Sequence, residues 1–325
     1  VTLKIASIGE AMLELTHQSP RTLTLGFAGD TLNTAVYLSR LAGNLHQIDY
    51  VTRVARDWYS DELLAAIQGE GIDTSLIVRT QSGNAGLYLV RTDTAGERTF
   101  TYYRSSSVAR GLFGPDQGPE LDEHLAGYDI IYLSAISLQI LTPGARQRLW
   151  TLMERVRSAG GSVIFDSNYR SAGWTTPDEA RFAIEETLKR TDIALPTYID
   201  EAQLYGDSSP EATAHRIHGL GVPEIVVKDG RDDCVVRLGN EIFHEPALPV
   251  QHVVDTTGAG DAFNAGYINA RLGGIPPQHA AAAGHRIAAQ VIQMPGAIIP
   301  HLNDVQMTPQ SLGQSPAAGT RRWQH

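Results

Sequence analysis

The sequence predicts an α/β fold: a largely parallel central sheet with helices on both faces, plus a small antiparallel β lid. Three observations carry this. Short apolar runs without polar alternation recur along the chain, as in strands covered on both faces. Amphipathic stretches with apolar residues at three- and four-residue spacing separate them. One segment, 84–104, departs from the alternation and reads as a β-hairpin.

In chain order the buried strands are LKIASI (3–8), DIIYLS (129–134), SVIFD (162–166), DIAL (192–195) and EIVVK (224–228). Helical patterns cover 31–42, 59–70, 143–159, 177–190, 209–220, 258–273 and 277–293. Thr142-Pro143 and Thr176-Pro177 read as an N-cap followed by proline at the first helical position. Strand–helix repetition of this kind makes a parallel sheet. Gly86–Arg91 and Arg98–Tyr103 are the hairpin strands, with the turn at Asp93–Gly96. Short strand candidates in 11–27 would join them in a lid over the carboxyl ends of the main strands, where α/β sheets bind ligands. Residues 1–300 form the folded domain, and 301–325 are expected to be a poorly ordered tail.

The 325 residues are 42% hydrophobic, enough for a sizeable core. Net charge is −10 and the only lysines are Lys4, Lys189 and Lys228, which argues against nucleic-acid or membrane-surface partners. One cysteine, Cys234, excludes an intrachain disulfide and a four-cysteine zinc site. It reads as a small core residue in a reducing compartment. VTLKIASIGEAMLEL is interrupted by Lys4, Glu10 and Glu14 and does not read as a signal peptide. A cytoplasmic protein is expected.

The strongest chemical signal is DTTGAGDAFNAGY (255–267) after a strand-like HVV (252–254). Gly258, Ala259 and Gly260 lead straight into a helix, whose first N–H groups point at whatever lies beyond. That suits a phosphate. Asp261 in the first turn is either a dipole-stabilised helix start or a general base beside that phosphate. In AGDTLN (28–33), Gly29, Asp30 and Asn33 either start a helix capped by Asp30 or face a polyol. FDSNYR places Asp166, Asn168 and Arg170 at a strand's carboxyl end, as a polar loop or a ligand contact. Lys228 is either a solvated strand end or part of a site. His215 and His218 lack a third ligand and read as a solvated helix face. No lysine follows a glycine, so there is no P-loop, and SIGEAML after the first strand is no dinucleotide fingerprint.

Together AGDTLN and DTTGAGDAFNAG resemble the two signatures of the ribokinase-like (PfkB) carbohydrate kinase family, and the resemblance covers roughly residues 3–300. IGEAMLEL, GLYLVRTDTAGERTFTYYR, VIFDSNYR and PGAIIP are similar to its sugar-acid branch, which transfers phosphate from ATP to O6 of 2-dehydro-3-deoxy-D-gluconate with Mg²⁺. A fructokinase-type kinase and a non-catalytic sugar-acid sensor are the alternatives, and the C4 epimer stays open. The resemblance implies Asp261 as catalytic base and Gly258, Ala259 and Gly260 as anion hole. Gly29, Asp30, Thr31, Leu32 and Asn33 are implied as the substrate loop, with Tyr88, Tyr102, Tyr103 and Arg104 shaping the pocket. Asn168, Tyr169 and Arg170 would be shared by substrate and nucleotide. Lys228, Asp229, Gly230, Arg231, Asp232 and Asp233 would form the nucleotide loop. Arg104 and Arg170 are the expected carboxylate ligands. No protein metal cage is expected, because Mg²⁺ keeps several waters. A monovalent cation at the Asp255 loop and a homodimer through the lid sheet are further expectations. Three positions depart from the family pattern: Ala28 for glycine, Asp229 for arginine and Gln293 for aspartate.

Overall fold

The computed structural model describes residues 1–92 and 98–302. The expected tail from 303 and the turn at Asp93–Gly96 lie outside the described residues. The main sheet has eight strands, in the order β14 (Glu241–Glu245), β13 (Cys234–Leu238), β12 (Glu224–Val227), β11 (Ile193–Ala194), β10 (Ser162–Asp166), β9 (Ile130–Ser134), β1 (Lys4–Ile8), β4 (Gln47–Val51). All neighbours are parallel except at the β12–β13–β14 edge, which is antiparallel. A second sheet runs β3 (Thr22–Ala28), β2 (Met12–Ser19), β7 (Gly86–Thr92), β8 (Arg98–Tyr103). Its two outer pairings are antiparallel, while β2 and β7 pair in parallel. Strands β5 (Arg53–Ala55) and β6 (Val78–Thr80) form a small parallel pair.

The helices are α1 (Asp30–Ala42), α2 (Trp58–Gly69), α3 (Glu120–Leu125), α4 (Ala135–Ile140), α5 (Pro143–Ser158), α6 (Pro177–Leu188), α7 (Tyr198–Tyr205), α8 (Pro210–Gly219), α9 (Ala259–Leu272) and α10 (Pro277–Val291). Thr142 and Thr176 cap α5 and α6 as expected, accepting from Ala145 N at 3.3 Å and Glu179 N at 3.1 Å. Strand alternation divides the core into two layers. Ile131, Leu133, Val163 and Phe165 face Leu149, Met153, Ile184 and Ile217 on one side. Ile130, Tyr132 and Ile164 face Leu32, Val36, Phe263 and Ile287 on the other. Parallel strands buried on both faces need this double cover.

HVV (252–254) is not a strand. Val254 N and Asp255 N both bond to Ile292 O, at 2.7 and 3.2 Å, so the segment is tied to the end of α10 rather than to a sheet. DIAL shortens to two strand residues. Asp30 is not the cap of α1: Gly29 holds that position and makes no side-chain bond. Cys234 is fully buried. Among the described residues no helix is long and apolar enough to cross a membrane.

Candidate active site

Two helix starts meet at the carboxyl ends of the main strands. At α1, a Cβ on Gly29 would lie 2.2 Å from Glu10 O, so only glycine lets the chain pass β1 this closely. Asp30 accepts from Asn168 Nδ2 at 3.0 Å, and Asn33 Nδ2 donates to Asp261 at 2.8 Å. Thr31 and Leu32 point elsewhere. Thr31 Oγ1 bonds Tyr50 OH at 3.0 Å, and Leu32 is in the core. Helical geometry puts residues 30 and 33 on one face and turns 31 and 32 away. Ala28 is buried where β3 pairs with Met12.

At α9, Gly258 has φ +74°, a left-handed conformation, and a Cβ there would meet Ala297 O at 2.7 Å. The N–H groups of Gly258, Gly260 and Asp261 bond to no other described residue. Ala259 does not contribute its N–H to this set, because it is spent on Thr256 O at 3.2 Å. The free donors and the helix dipole could hold an anion, with the Asp261 carboxylate beside it.

Behind them runs a buried polar network. Lys228 Nζ donates to Asp166 Oδ2 at 3.0 Å and Asn264 Oδ1 at 2.9 Å. Asn264 Nδ2 donates to Asp166 Oδ2 at 2.7 Å and Tyr132 OH at 3.1 Å. Tyr132 OH meets Thr34 Oγ1 at 3.1 Å, and Thr34 reaches Asp261 O at 3.2 Å. Lys228 is therefore buried rather than solvated. A Cβ on Gly260 would lie 3.7 Å from its ammonium, which places that charge beside the anion site.

Three carboxylates, Asp30, Asp166 and Asp261, share this region with one ammonium. Asp261 is pushed up to about 8, first by burial and then by the charge of Asp30. Asp30 is raised by burial, with Asp166 adding repulsion.

The lid faces this site. Tyr88 and Tyr102 are cross-strand partners with ring centroids 5.7 Å apart, and Phe100 stacks on Tyr102 at 6.4 Å. Tyr88 OH bonds Glu14. Tyr103, expected in the pocket, lies on the opposite face, since neighbouring strand residues alternate, and it is 61% exposed. Arg104 pairs with Glu10, and Arg170 Nη1 pairs with Asp200 at 2.9 Å. Burial raises the Tyr102 hydroxyl, and the charges of both Arg104 and Arg170 act on it in the opposite sense.

Of the 168–170 loop, Asn168 and Arg170 reach the site. Tyr169, by contrast, is buried with the core cluster. Arg231, Asp232 and Asp233 form an exposed turn, with Asp229 and Gly230, between β12 and β13. Gln293, just beyond α10, folds back on that helix, donating to Ala289 O at 2.7 Å. His218 Nδ1 lies 3.2 Å from Val222 O, in keeping with a structural role. Among the described residues no three acidic, histidine or cysteine side chains are placed to hold a metal.

Asn264, Thr34, Tyr132 and Glu10 complete the site without having been expected. Asn264 was within reach, since it lies three residues beyond Asp261 on the same helix face. Glu10 carried no local signal, because its partner is 94 residues away in sequence.

The profile described as pfkB family carbohydrate kinase matches residues 2–304. A 2-dehydro-3-deoxygluconokinase of Dickeya dadantii is 46% identical over 303 residues, covering 92% of this chain and 97% of that protein. One of Escherichia coli K12 is 44% identical over 301 residues, covering 91% and 97%. A crystal structure described as a putative ribokinase II of E. coli in complex with ATP and Mg²⁺ superposes with TM-score 0.78 at 22% identity, covering 92% and 95%, and shares the fold.

Proposed function

The chain belongs to the pfkB family of carbohydrate kinases, and we propose that the paired helix starts described above are where it transfers phosphate to a sugar acid. Its reaction is ATP-dependent phosphorylation of 2-dehydro-3-deoxygluconate. The observation that carries the site assignment is the Asp261 carboxylate, held by Asn33 and adjoining three N–H groups without a partner among the described residues.

Asp261 takes the proton of the C6 hydroxyl as O6 attacks the γ-phosphorus in line. The O6–P bond forms, the bond from γ-phosphorus to the bridging oxygen breaks, and ADP leaves with that oxygen. The N–H groups of Gly258, Gly260 and Asp261 and the Lys228 ammonium receive the charge on the transferring group. When bound, Mg²⁺ would supply further positive charge at this site. Asp30 and Asn168 hold substrate hydroxyls, and Arg104 and Arg170 hold its carboxylate. Tyr88, Phe100 and Tyr102 roof the pocket against water. A sensor would have no use for a positioned base, and a neutral sugar none for two arginines. The Asp255 carboxylate already accepts from Thr257 and Gly296 and pairs with Arg98, so this reading assigns it no monovalent cation.

A homodimer through the lid is part of the proposal. Cross-strand register puts Leu13, Leu15, Leu23, Leu25, Leu87, Leu89 and Tyr103 on the face turned away from the site. A second copy would cover that apolar face.

An ADP-coupled assay with Mg²⁺ compares 2-dehydro-3-deoxygluconate, fructose and ribose. Strong preference for the acid is expected. Equal or faster turnover of a neutral sugar would overturn the roles given to Arg104 and Arg170.

A further inference from the structure

Strand β8 sets Arg98, Phe100 and Tyr102 on one face, and Arg104 continues the two-residue spacing just beyond it. Arg104 anchors one end of this row on Glu10. Arg98 anchors the other end: its Nη1 lies 2.6 Å from Asp255 Oδ2 and 3.4 Å from Thr257 Oγ1. The phosphoryl-transfer scheme above makes no use of this contact.

Asp255 is a junction. Its side chain is 2% exposed. Oδ1 accepts from Thr257 N at 3.0 Å and Thr257 Oγ1 at 2.8 Å, and Oδ2 accepts from Gly296 N at 2.5 Å. The carboxylate therefore shapes the turn just before Gly258 and pins the segment whose Ala297 packs against Gly258. A buried carboxylate bound this way needs a counter-charge, and removing its partner leaves it uncompensated. Among the described residues the guanidinium paired with it comes from the lid.

We propose that Arg98 is a positioning residue: its pair with Asp255 ties the far end of the lid to the turn that presents the N–H groups of Gly258, Gly260 and Asp261. Seating the lid and shaping the anion hole are then one event. Water is shut out by the same contact that sets the donors on the phosphoryl group. The inference deepens the phosphotransferase reading, but the clasp itself can be tested without any substrate.

The test compares the parent chain with Arg98→Ala and Arg98→Lys. Amide hydrogen exchange on the ligand-free protein follows peptides covering 98–104 and 255–262. Arg98→Ala is expected to speed exchange about tenfold or more in both regions together, the scale of one lost charged hydrogen bond. Faster exchange confined to 98–104 would overturn the coupling, whatever the substrate. In turnover, Arg98→Ala is expected to lower kcat by roughly 10–100-fold with KM for the sugar acid within about threefold. ADP formed without phosphosugar should rise as a share of total ADP. Arg98→Lys, which keeps the charge and loses the planar fork, is expected to recover part of kcat and most of the coupling. Unchanged kcat and unchanged coupling in both variants would also overturn the proposal.

Discussion

Asn33 Nδ2 donates to Asp261 Oδ2 at 2.8 Å, joining the first turns of α1 and α9 across 228 positions of sequence. The amide fixes one carboxylate oxygen and leaves the other for an incoming hydroxyl. Substrate loop and base are thereby set at one distance before any ligand arrives.

Asp261→Asn keeps the shape and the bond from Asn33 but cannot take a proton. Turnover is expected to fall by about 10²–10⁴-fold, with little change in KM for the sugar acid. Steady-state kinetics check this, and near-normal kcat would remove Asp261 from the chemistry.

Because Asp261 is pushed up to about 8, it is largely protonated at neutral pH in the free protein. Only its ionised form is a base, so kcat/KM is expected to rise with pH through about 8. Asp30→Asn removes a neighbouring negative charge and should move that limb to lower pH. A limb that stays in place would dissociate the two carboxylates.

The same shift acts on stability with a sign unusual for an aspartate. The folded chain holds the Asp261 proton from 3.8 up to about 8, so this contribution is full below 3.8 and is lost as pH rises through about 8. Asp261→Asn should therefore raise Tm over the parent at pH 9, with the gap closing toward pH 4. Thermal melts across that range decide it.

Lys228→Met leaves Asp166 buried without its cation, with the two side chains only 8% and 3% exposed in the parent. A loss of about 3–5 kcal/mol is expected in urea unfolding. Adding Asp166→Asn should recover much of it, and additive losses would contradict a paired role.

Arg170→Gln is expected to lower kcat/KM for the sugar acid by roughly 10–100-fold, the scale of a hydrogen bond to a charged group, while leaving fructose turnover unchanged. Equal losses on both would mean that Arg170 serves the nucleotide instead.

Leu89→Glu on the outer lid face is expected to yield monomers in sedimentation. A parent chain that is itself monomeric would rule out the lid dimer.

The buried strands are legible because covering both faces removes polar alternation, and the starts of α5 and α6 because their Thr-Pro caps are local. HVV misled for the same reason it was noticed: an apolar run can serve a loop held by one carbonyl, Ile292 O. Gly29, Asp30, Asn33 and Asp261 follow from local patterns, yet a contiguous motif carries Thr31, Leu32 and Tyr103 along with their neighbours although periodicity separates them. Glu10 with Arg104, and Asp166 with Lys228 and Asn264, are partnerships between distant segments. No local spacing encodes them, since only the closed sheet brings their strand ends together.

Residues 292–299 follow α10, yet Ile292 O, Gly296 N and Ala297 hold the loop that opens α9, and Tyr37 OH bonds Ala297 O at 2.6 Å. The ribosome makes this stretch after every residue that performs chemistry. A nascent chain can carry Asp261 and its glycines and still lack the brace that shapes them. The shaped anion-binding turn is thus complete only once residues 292–299 have been made and have folded back onto it.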